Sequence, residues 1–104
     1  FWNTGDLPRW HRRFRSDALV EDPVGRGSRA LGTGREIFEP AHARDRRVLM
    51  GAHRVIVCGM EALAHTVHCE ERTGSPPRTT AHTELFRFDA EGRIESWRVF
   101  REDG

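Results

Sequence analysis

The sequence contains no lysine and no tyrosine, so its 17 strongly basic side chains are all arginines. Without lysine the protein cannot form a Schiff base with a carbonyl substrate, and without tyrosine no phenol can donate a proton. Apolar runs extend over only a few residues, whereas a membrane-spanning helix needs about 20. The 16 acidic side chains leave a net charge of +1, which disfavours nucleic acid as a partner because nucleic-acid-binding domains carry strongly basic surfaces.

Cysteine is also scarce, and Cys58 and Cys69 both lie inside apolar segments. We expect them to be buried free thiols of a cytoplasmic protein, because disulfide frameworks are typical of cysteine-rich secreted chains. The histidines and cysteines lack the spacings of known zinc motifs. His65 and His68, three residues apart, point to opposite faces of one strand. The sequence therefore predicts no metal site.

The first part of the chain has helix signals. A chain of 104 residues is long enough for one domain around one small core. Asp6 followed by Pro8 predicts the start of a short helix. The capping-box spacing of Thr33 and Glu36 predicts a second helix, which Pro40 should kink or shorten.

The second part of the chain has strand signals. From residue 48 onward apolar side chains recur at every second position, which is typical of strands, and short turn segments rich in Gly, Pro and Asp separate them. A shorter β-prone segment precedes them. The expected strands cover residues 18–23, 48–58, 62–72, 78–89 and 93–101. Helices followed by a meander indicate an α+β fold, with helices covering one face of a curved antiparallel sheet.

Two of the predicted strands carry titratable side chains on faces that are otherwise apolar. His65 alternates with Leu63 and Val67, and Glu84 shares its face with aromatic residues such as Phe86. Burial lowers the pKa of an imidazole and raises that of a carboxyl. Both shifts prepare such groups for proton transfer near neutral pH.

Several segments together resemble a known family. VEDPVG at residues 20–25 and FRFDAEGRI at 86–94, with GREIF between them, are similar to SnoaL-like and ketosteroid isomerase-like proteins, and the resemblance covers nearly the whole chain. It implies the nuclear transport factor 2-like fold (a cystatin-like roll): a cone-shaped, curved antiparallel sheet wrapped around N-terminal helices, with a deep pocket at the open end. The family's N-terminal helix would precede Phe1, so residues 1–104 are expected to form a single domain without that helix. Members often form homodimers.

The resemblance also implies site residues. Asp22 matches the general base that moves a proton between two carbons beside a carbonyl. Glu84 stands where the isomerases hold a carboxylic acid neutral so that it can donate a hydrogen bond to the enolate, and His65 or His82 would assist it. The residues expected to line the pocket are His42, Leu63, Val67, Cys69, His82, Phe86, Trp97 and Val99.

The expected function is therefore proton transfer without a cofactor, as an isomerase or a polyketide cyclase. The substrate would be a small hydrophobic, steroid- or polyketide-like carbonyl compound in a hydrophobic pocket. Two alternatives stay open: a non-catalytic module for small-molecule binding or dimerisation, and an epoxide hydrolase or cyclase of polyketide biosynthesis. A binding-only pocket would have Asp22 locked to an arginine or to backbone donors and facing away from the cavity. The epoxide alternative ranks lower because the strand at 48–58 has no Asp or Glu.

Overall fold

The computed structural model describes residues 2–101. Within that range the chain forms two short helices, α1 (Leu7–His11) and α2 (Arg35–Ala41), and seven strands. The strands are β1 (Phe14–Glu21), β2 (Arg29–Ala30), β3 (His42–Ala43), β4 (Arg46–Cys58), β5 (Glu61–Arg72), β6 (Arg78–Phe88) and β7 (Ile94–Arg101). The four long strands expected after residue 48 are confirmed, with their bounds shifted by no more than two residues.

All the strands of the described residues belong to one curled sheet in the order β2-β1-β7-β6-β5-β4-β3. β4 to β7 form the expected antiparallel meander. β1 was predicted only as a short segment at 18–23, but it begins at Phe14 and pairs in parallel with β7, with Leu19 opposite Ser96 and Val20 opposite Trp97. This pairing brings the residue that follows β1, Asp22, next to the end of the last strand.

Residues at the ends of the two helices determine where each helix begins and ends. In α1 the carboxylate of Asp6 accepts a hydrogen bond from the Arg9 amide at 3.2 Å, which confirms the predicted cap. The capping box predicted for α2 does not form, because Gly34 takes the N-cap position with a φ of 74°. A side chain at Gly34 would clash with the ring of Trp10, since a Cβ would lie 2.7 Å from it. As predicted, Pro40 keeps α2 short, and the helix ends one residue after it.

Aromatic rings fill the concave side of the sheet. Trp10 of α1 packs edge-on against Trp2 and Trp97, with ring centroids 5.3 and 6.2 Å apart. Phe14 begins β1 and lies between Trp10 and Trp97. Burying such rings against one another supplies much of the stability of so small a domain.

The far half of β4 is exposed to solvent. Val55, Ile56 and Val57 leave 54%, 45% and 70% of their surface accessible. The prediction of two buried thiols is wrong, because Cys58 is exposed here and Cys69 is only half-buried, although both are free. No helix of the described residues is long and apolar enough to cross a membrane.

Candidate functional site

A cavity of about 340 Å³ opens on the concave face between α2 and the long strands. One side is apolar, with Trp97 and Val99 of β7 beside Met50 of β4. Its other side is polar: among the described residues, four arginines, three carboxylates and two histidines line it. The expectation of a hydrophobic pocket is therefore correct for one wall only.

Glu84 lies behind this cavity, on the inner face of β6, with only 2% of its surface exposed. Its Oε1 accepts a hydrogen bond from Trp97 Nε1 at 2.7 Å, and its Oε2 accepts one from the Thr66 hydroxyl. His68 Nε2 lies 3.4 Å from the same Oε2. Each of these donors stabilises the ionised carboxylate.

The pKa of Glu84 follows from these contacts. Burial by itself would raise the pKa of the carboxyl, but the hydrogen bonds from His68, Thr66 and Trp97 outweigh it and hold the pKa below its usual value. The resemblance to the isomerases implied a neutral acid at this position. In the structure Glu84 accepts hydrogen bonds from Trp97 and Thr66, and its lowered pKa favours the ionised form.

Two histidines lie side by side in the cavity wall. The ring centroids of His68 and His82 are 4.0 Å apart, and His82 Nε2 lies 2.8 Å from the Thr80 hydroxyl. His82 is 3% exposed, and its Nδ1 finds no hydrogen-bond partner among residues 2–101. Burial first, then His68 and Arg101, lower the pKa of His82, so this ring is neutral at physiological pH.

Asp22 lines the cavity from the end of β1. Its Oδ1 accepts a hydrogen bond from Arg101 Nε at 2.9 Å, and its side chain is 31% exposed. A binding-only pocket was expected to have Asp22 paired with an arginine and facing away from the cavity. Asp22 is paired with Arg101, but it lies on the cavity wall.

The preceding carboxylate, Glu21, fixes the loop that carries Asp22. Glu21 Oε2 accepts hydrogen bonds from the amides of Gly25 and Gly27 at 3.0 and 3.1 Å, while Oε1 pairs with Arg98 at 3.0 Å. The hydrogen bond from Gly25, followed by that from Arg98, lowers the pKa of Glu21. The VEDPVG segment therefore contributes two carboxylates, of which one shapes the loop and the other faces the cavity.

The family model of the SnoaL-like domain matches residues 1–97. This chain belongs to the SnoaL-like domain family. None of the curated proteins compared with the chain matches it.

Two solved structures are similar to this SnoaL-like domain. One is the epoxide hydrolase/cyclase-like enzyme SalBIII, which has a role in pyran ring formation in the polyether salinomycin; it is 25% identical with a TM-score of 0.81, over 96% of this chain and 81% of that one. The other is an LEH-like epoxide hydrolase from M. tuberculosis, 17% identical with a TM-score of 0.78, over 98% of this chain and 74% of that one. The second likeness concerns the fold alone, and together they confirm the nuclear transport factor 2-like fold.

The SnoaL-like domain turns a different face of β5 toward its cavity from the one predicted. The buried side chains of β5 are Ala62, Ala64 and Thr66, and His68 follows them on the same face. The residues expected to line the pocket point away from it and are exposed or half-buried: they are Leu63, His65, Val67 and Cys69. His65 is therefore not in the cavity wall.

His42 and Phe86 support the cavity from behind, although they were predicted to line it. His42 Nε2 lies 2.6 Å from the Trp2 carbonyl oxygen, and its ring stacks on Phe38 with centroids 4.0 Å apart. Phe86 stacks on Trp97 at 6.0 Å. Of the predicted lining residues, the cavity wall contains His82, Trp97 and Val99.

Sequence reasoning missed His68 and Arg101, which lie in the cavity wall. His68 lies on the face of β5 opposite the residues predicted to line the pocket, and the small or polar residues of that face are a weak signal of burial. Arg101 lies next to Asp22 because β1 and β7 pair in parallel. No local sequence pattern predicts such a pairing. Within residues 2–101, no group of three His, Cys, Asp or Glu side chains could hold a metal ion.

A larger and more open depression of about 740 Å³ lies at the opposite end of the sheet. Its wall is an ion-pair network in which Arg15 contacts Asp17 at 2.9 Å and Glu95 at 3.1 Å. It contains none of the residues predicted for the site. The cavity beside Asp22 is therefore the candidate site.

Proposed function

We propose that this SnoaL-like domain is an enzyme that moves protons on a small, polyketide-like carbonyl compound, with Asp22 as the general base. One observation supports this most strongly. A carboxylate, Asp22, and a histidine backed by a buried carboxylate, His68, contribute to one cavity wall from strands far apart in the chain. A base and an acid on one substrate are the minimum equipment for proton transfer beside a carbonyl.

In this proposal Asp22 removes the proton. Arg101 donates to Oδ1 and orients the carboxylate, and Oδ2 takes a proton from the carbon next to the substrate carbonyl. The electron pair of that C–H bond moves onto the carbonyl oxygen and forms an enolate. No cofactor is needed, because the carbonyl oxygen holds the charge. Asp22 then returns the proton to another carbon, or the enolate carbon attacks a second carbonyl and closes a ring.

His68 stabilises the oxygen on which the charge develops. Its Nε2 lies 3.4 Å from Glu84 Oε2, and this contact holds the ring in place. Such an imidazole can donate a hydrogen bond, or a proton, to the enolate or to the alkoxide formed on ring closure. Glu84 is then a positioning residue that does not touch the substrate, which explains why it lies behind the cavity wall.

A second candidate is epoxide opening by hydrolysis or cyclisation, which the 25% identity to SalBIII favours. Here His68 would protonate the epoxide oxygen as the C–O bond breaks, and Asp22 would take the proton of the attacking water or hydroxyl. The same two residues serve both reactions. They differ in the substrate, and β4 supplies no carboxylate to either.

Proton exchange into small ketones tests the main proposal without knowledge of the natural substrate. In D₂O, NMR follows the loss of the protons beside the carbonyl of cyclic ketones, and cyclohexene oxide reports on epoxide opening. We expect Asp22→Asn to lower the exchange rate about 100-fold and His68→Gln about tenfold, because each removes a group that handles the proton.

The control is Asp17→Asn, which removes an exposed carboxylate outside the cavity and should leave exchange unchanged. Exchange at the wild-type rate in Asp22→Asn would contradict the proposal. Ketone binding without any exchange in the wild-type protein would also contradict it and would favour the non-catalytic module. Epoxide opening that depends on Asp22, without ketone exchange, would favour the second candidate.

A further inference from the structure

The arginines in the cavity wall differ in what neutralises them. Arg101 pairs with Asp22 at 2.9 Å, Arg46 with Glu70 at 2.9 Å, and Arg29 with Glu36 at 3.7 Å. The guanidinium of the fourth, Arg78 at the exposed start of β6, has no ion pair or hydrogen bond with any residue from 2 to 101. Arg78 is thus the cavity arginine whose charge the described residues leave uncompensated.

The acid opposite Arg78 in the sheet is already paired with two other arginines. Glu70 lies opposite Arg78 in the register of β5 and β6. Both of its oxygens are occupied, Oε2 by Arg46 at 2.9 Å and Oε1 by Arg72 at 3.1 Å. The hydrogen bond from Arg46 lowers the pKa of Glu70, which favours the ionised carboxylate paired with Arg46 and Arg72. The guanidinium of Arg78 is left for a ligand.

Arg78 also lies in line with the residues proposed for catalysis. Side chains alternate along a strand, so Arg78, Thr80 and His82 share the inner face of β6. All three line the cavity. Four residues along a strand span about 13 Å, and His82 is opposite Arg101, the partner of Asp22. A ligand group on Arg78 is therefore separated from Asp22 by about the length of a short carbon chain.

We propose that Arg78 binds a carboxylate of the substrate, so that the domain acts on an organic acid whose reacting carbonyl lies a short chain away from its acid group. This inference rests on the proposed function for the position of the reacting carbon. A guanidinium fits a carboxylate with two parallel hydrogen bonds. One uncompensated cation matches a monoanion better than a doubly charged phosphate. The apolar wall with Trp97 and Val99 would cover the chain in between.

Binding of a matched pair of small molecules tests this inference without turnover. Trp2 and Trp97 line the cavity, so quenching of tryptophan fluorescence reports on occupancy. We expect the wild-type protein to bind octanoate about fivefold more tightly than the uncharged octanamide, because an exposed charge pair contributes modestly. This preference should shrink as NaCl rises from about 20 mM to about 500 mM.

Three variants give this test its controls. Arg78→Gln should abolish the preference for octanoate without weakening octanamide, Arg78→Lys should restore part of it, and Arg54→Gln, at an exposed position of β4 outside the cavity, should keep it. Equal binding of both molecules by the wild-type protein, or an unchanged preference in Arg78→Gln, would overturn the inference. Tighter binding of octyl phosphate than of octanoate would overturn the choice of a monoanion.

The two proposals can fail separately. Asp22→Asn should lose proton exchange and keep at least the wild-type preference for octanoate, because it removes the negative charge that faces Arg101. If Asp22→Asn exchanges like the wild type while Arg78→Gln loses the preference, the proposed reaction is wrong and the carboxylate site stands. If Arg78→Gln keeps the preference while Asp22→Asn loses exchange, the carboxylate site is wrong and the reaction stands.

Discussion

The two faces of β5 differ in burial, and the face with the larger apolar residues is the more exposed one. The outer face carries the larger apolar residues Leu63 and Val67, yet Val67 is 38% exposed. The inner face carries Ala62 and Ala64, which are 7% and 6% exposed. Across the sheet these two alanines lie opposite Phe86 and Glu84 of β6. The larger apolar residues of a strand therefore do not by themselves mark its buried face.

The same contrast governs the titratable groups on the two faces. On the inner face Glu84 receives hydrogen bonds from Trp97 and Thr66. On the outer face His65 has a long contact of 3.4 Å to the Thr83 hydroxyl. A buried charge is tolerated only where donors satisfy it, whereas water satisfies an exposed imidazole. A buried carboxylate therefore needs polar hydrogen-bond donors next to it.

The largest expected effect comes from removing the buried carboxylate. Glu84→Ala should lower the free energy of unfolding by about 3 kcal/mol, because it leaves the Trp97 and Thr66 donors buried without an acceptor. Urea denaturation measures this loss. The matched control is Glu95→Ala, which breaks the surface ion pairs with Arg87 and Arg15 and should cost about 1 kcal/mol or less. Equal losses in the two variants would show that burial of Glu84 does not matter.

A smaller effect should follow from enlarging one residue on each face of β5. Ala64→Leu inserts three carbons against Glu84 and should destabilise the domain by about 2 kcal/mol through overpacking. His65→Leu, one position further on the outer face, should change stability by less than about 0.5 kcal/mol. Thermal unfolding of the two variants provides the comparison. A larger loss in His65→Leu would reverse the assignment of the faces.

The smallest expected effect is that of pH on the inner face. Because burial lowers the pKa of His82 below its ordinary 6.5, the unfolded chain takes up a proton there before the folded chain does. Stability is then fully present above about pH 6.5 and falls as the pH drops below it. Glu84, whose pKa is lowered from 4.5, adds a second loss below that value. Chemical denaturation between pH 8 and pH 4 measures both.

A variant separates these two steps. His82→Gln should flatten the loss of stability that begins below about pH 6.5 and keep the later one that Glu84 causes. A wild-type protein whose stability does not change over the first interval would show that protonation of His82 is not linked to folding.

Local patterns predict much of this fold. Strict alternation gave the four long strands, and the Asp6 cap gave α1, because both depend on neighbouring residues. The inner face of β5 could not be predicted, since its apolar residues are small and those of the opposite face are large. The donors around Glu84 could not be predicted either, because Trp97 and Thr66 reach its carboxyl from two other strands.

The candidate site was only partly predictable for a similar reason. Asp22, His82 and Trp97 were identified through the family resemblance or the alternation of the strands. The partner of Asp22 was not, because Arg101 lies 79 residues away and meets it through the parallel pairing of β1 with β7. The unpaired state of Arg78 also depends on which partners Glu70 has already taken, which the order of residues does not reveal.

The parallel pairing of β1 with β7 also has a consequence for the order of folding. The hairpins from β4 to β7 join residues close in sequence and can form early, whereas a contact spanning 79 residues requires the closure of a long loop. The hairpins can thus bury Glu84 against Trp97 before Asp22 reaches Arg101. The antiparallel part of the sheet would then form first, and the contact between Asp22 and Arg101 last.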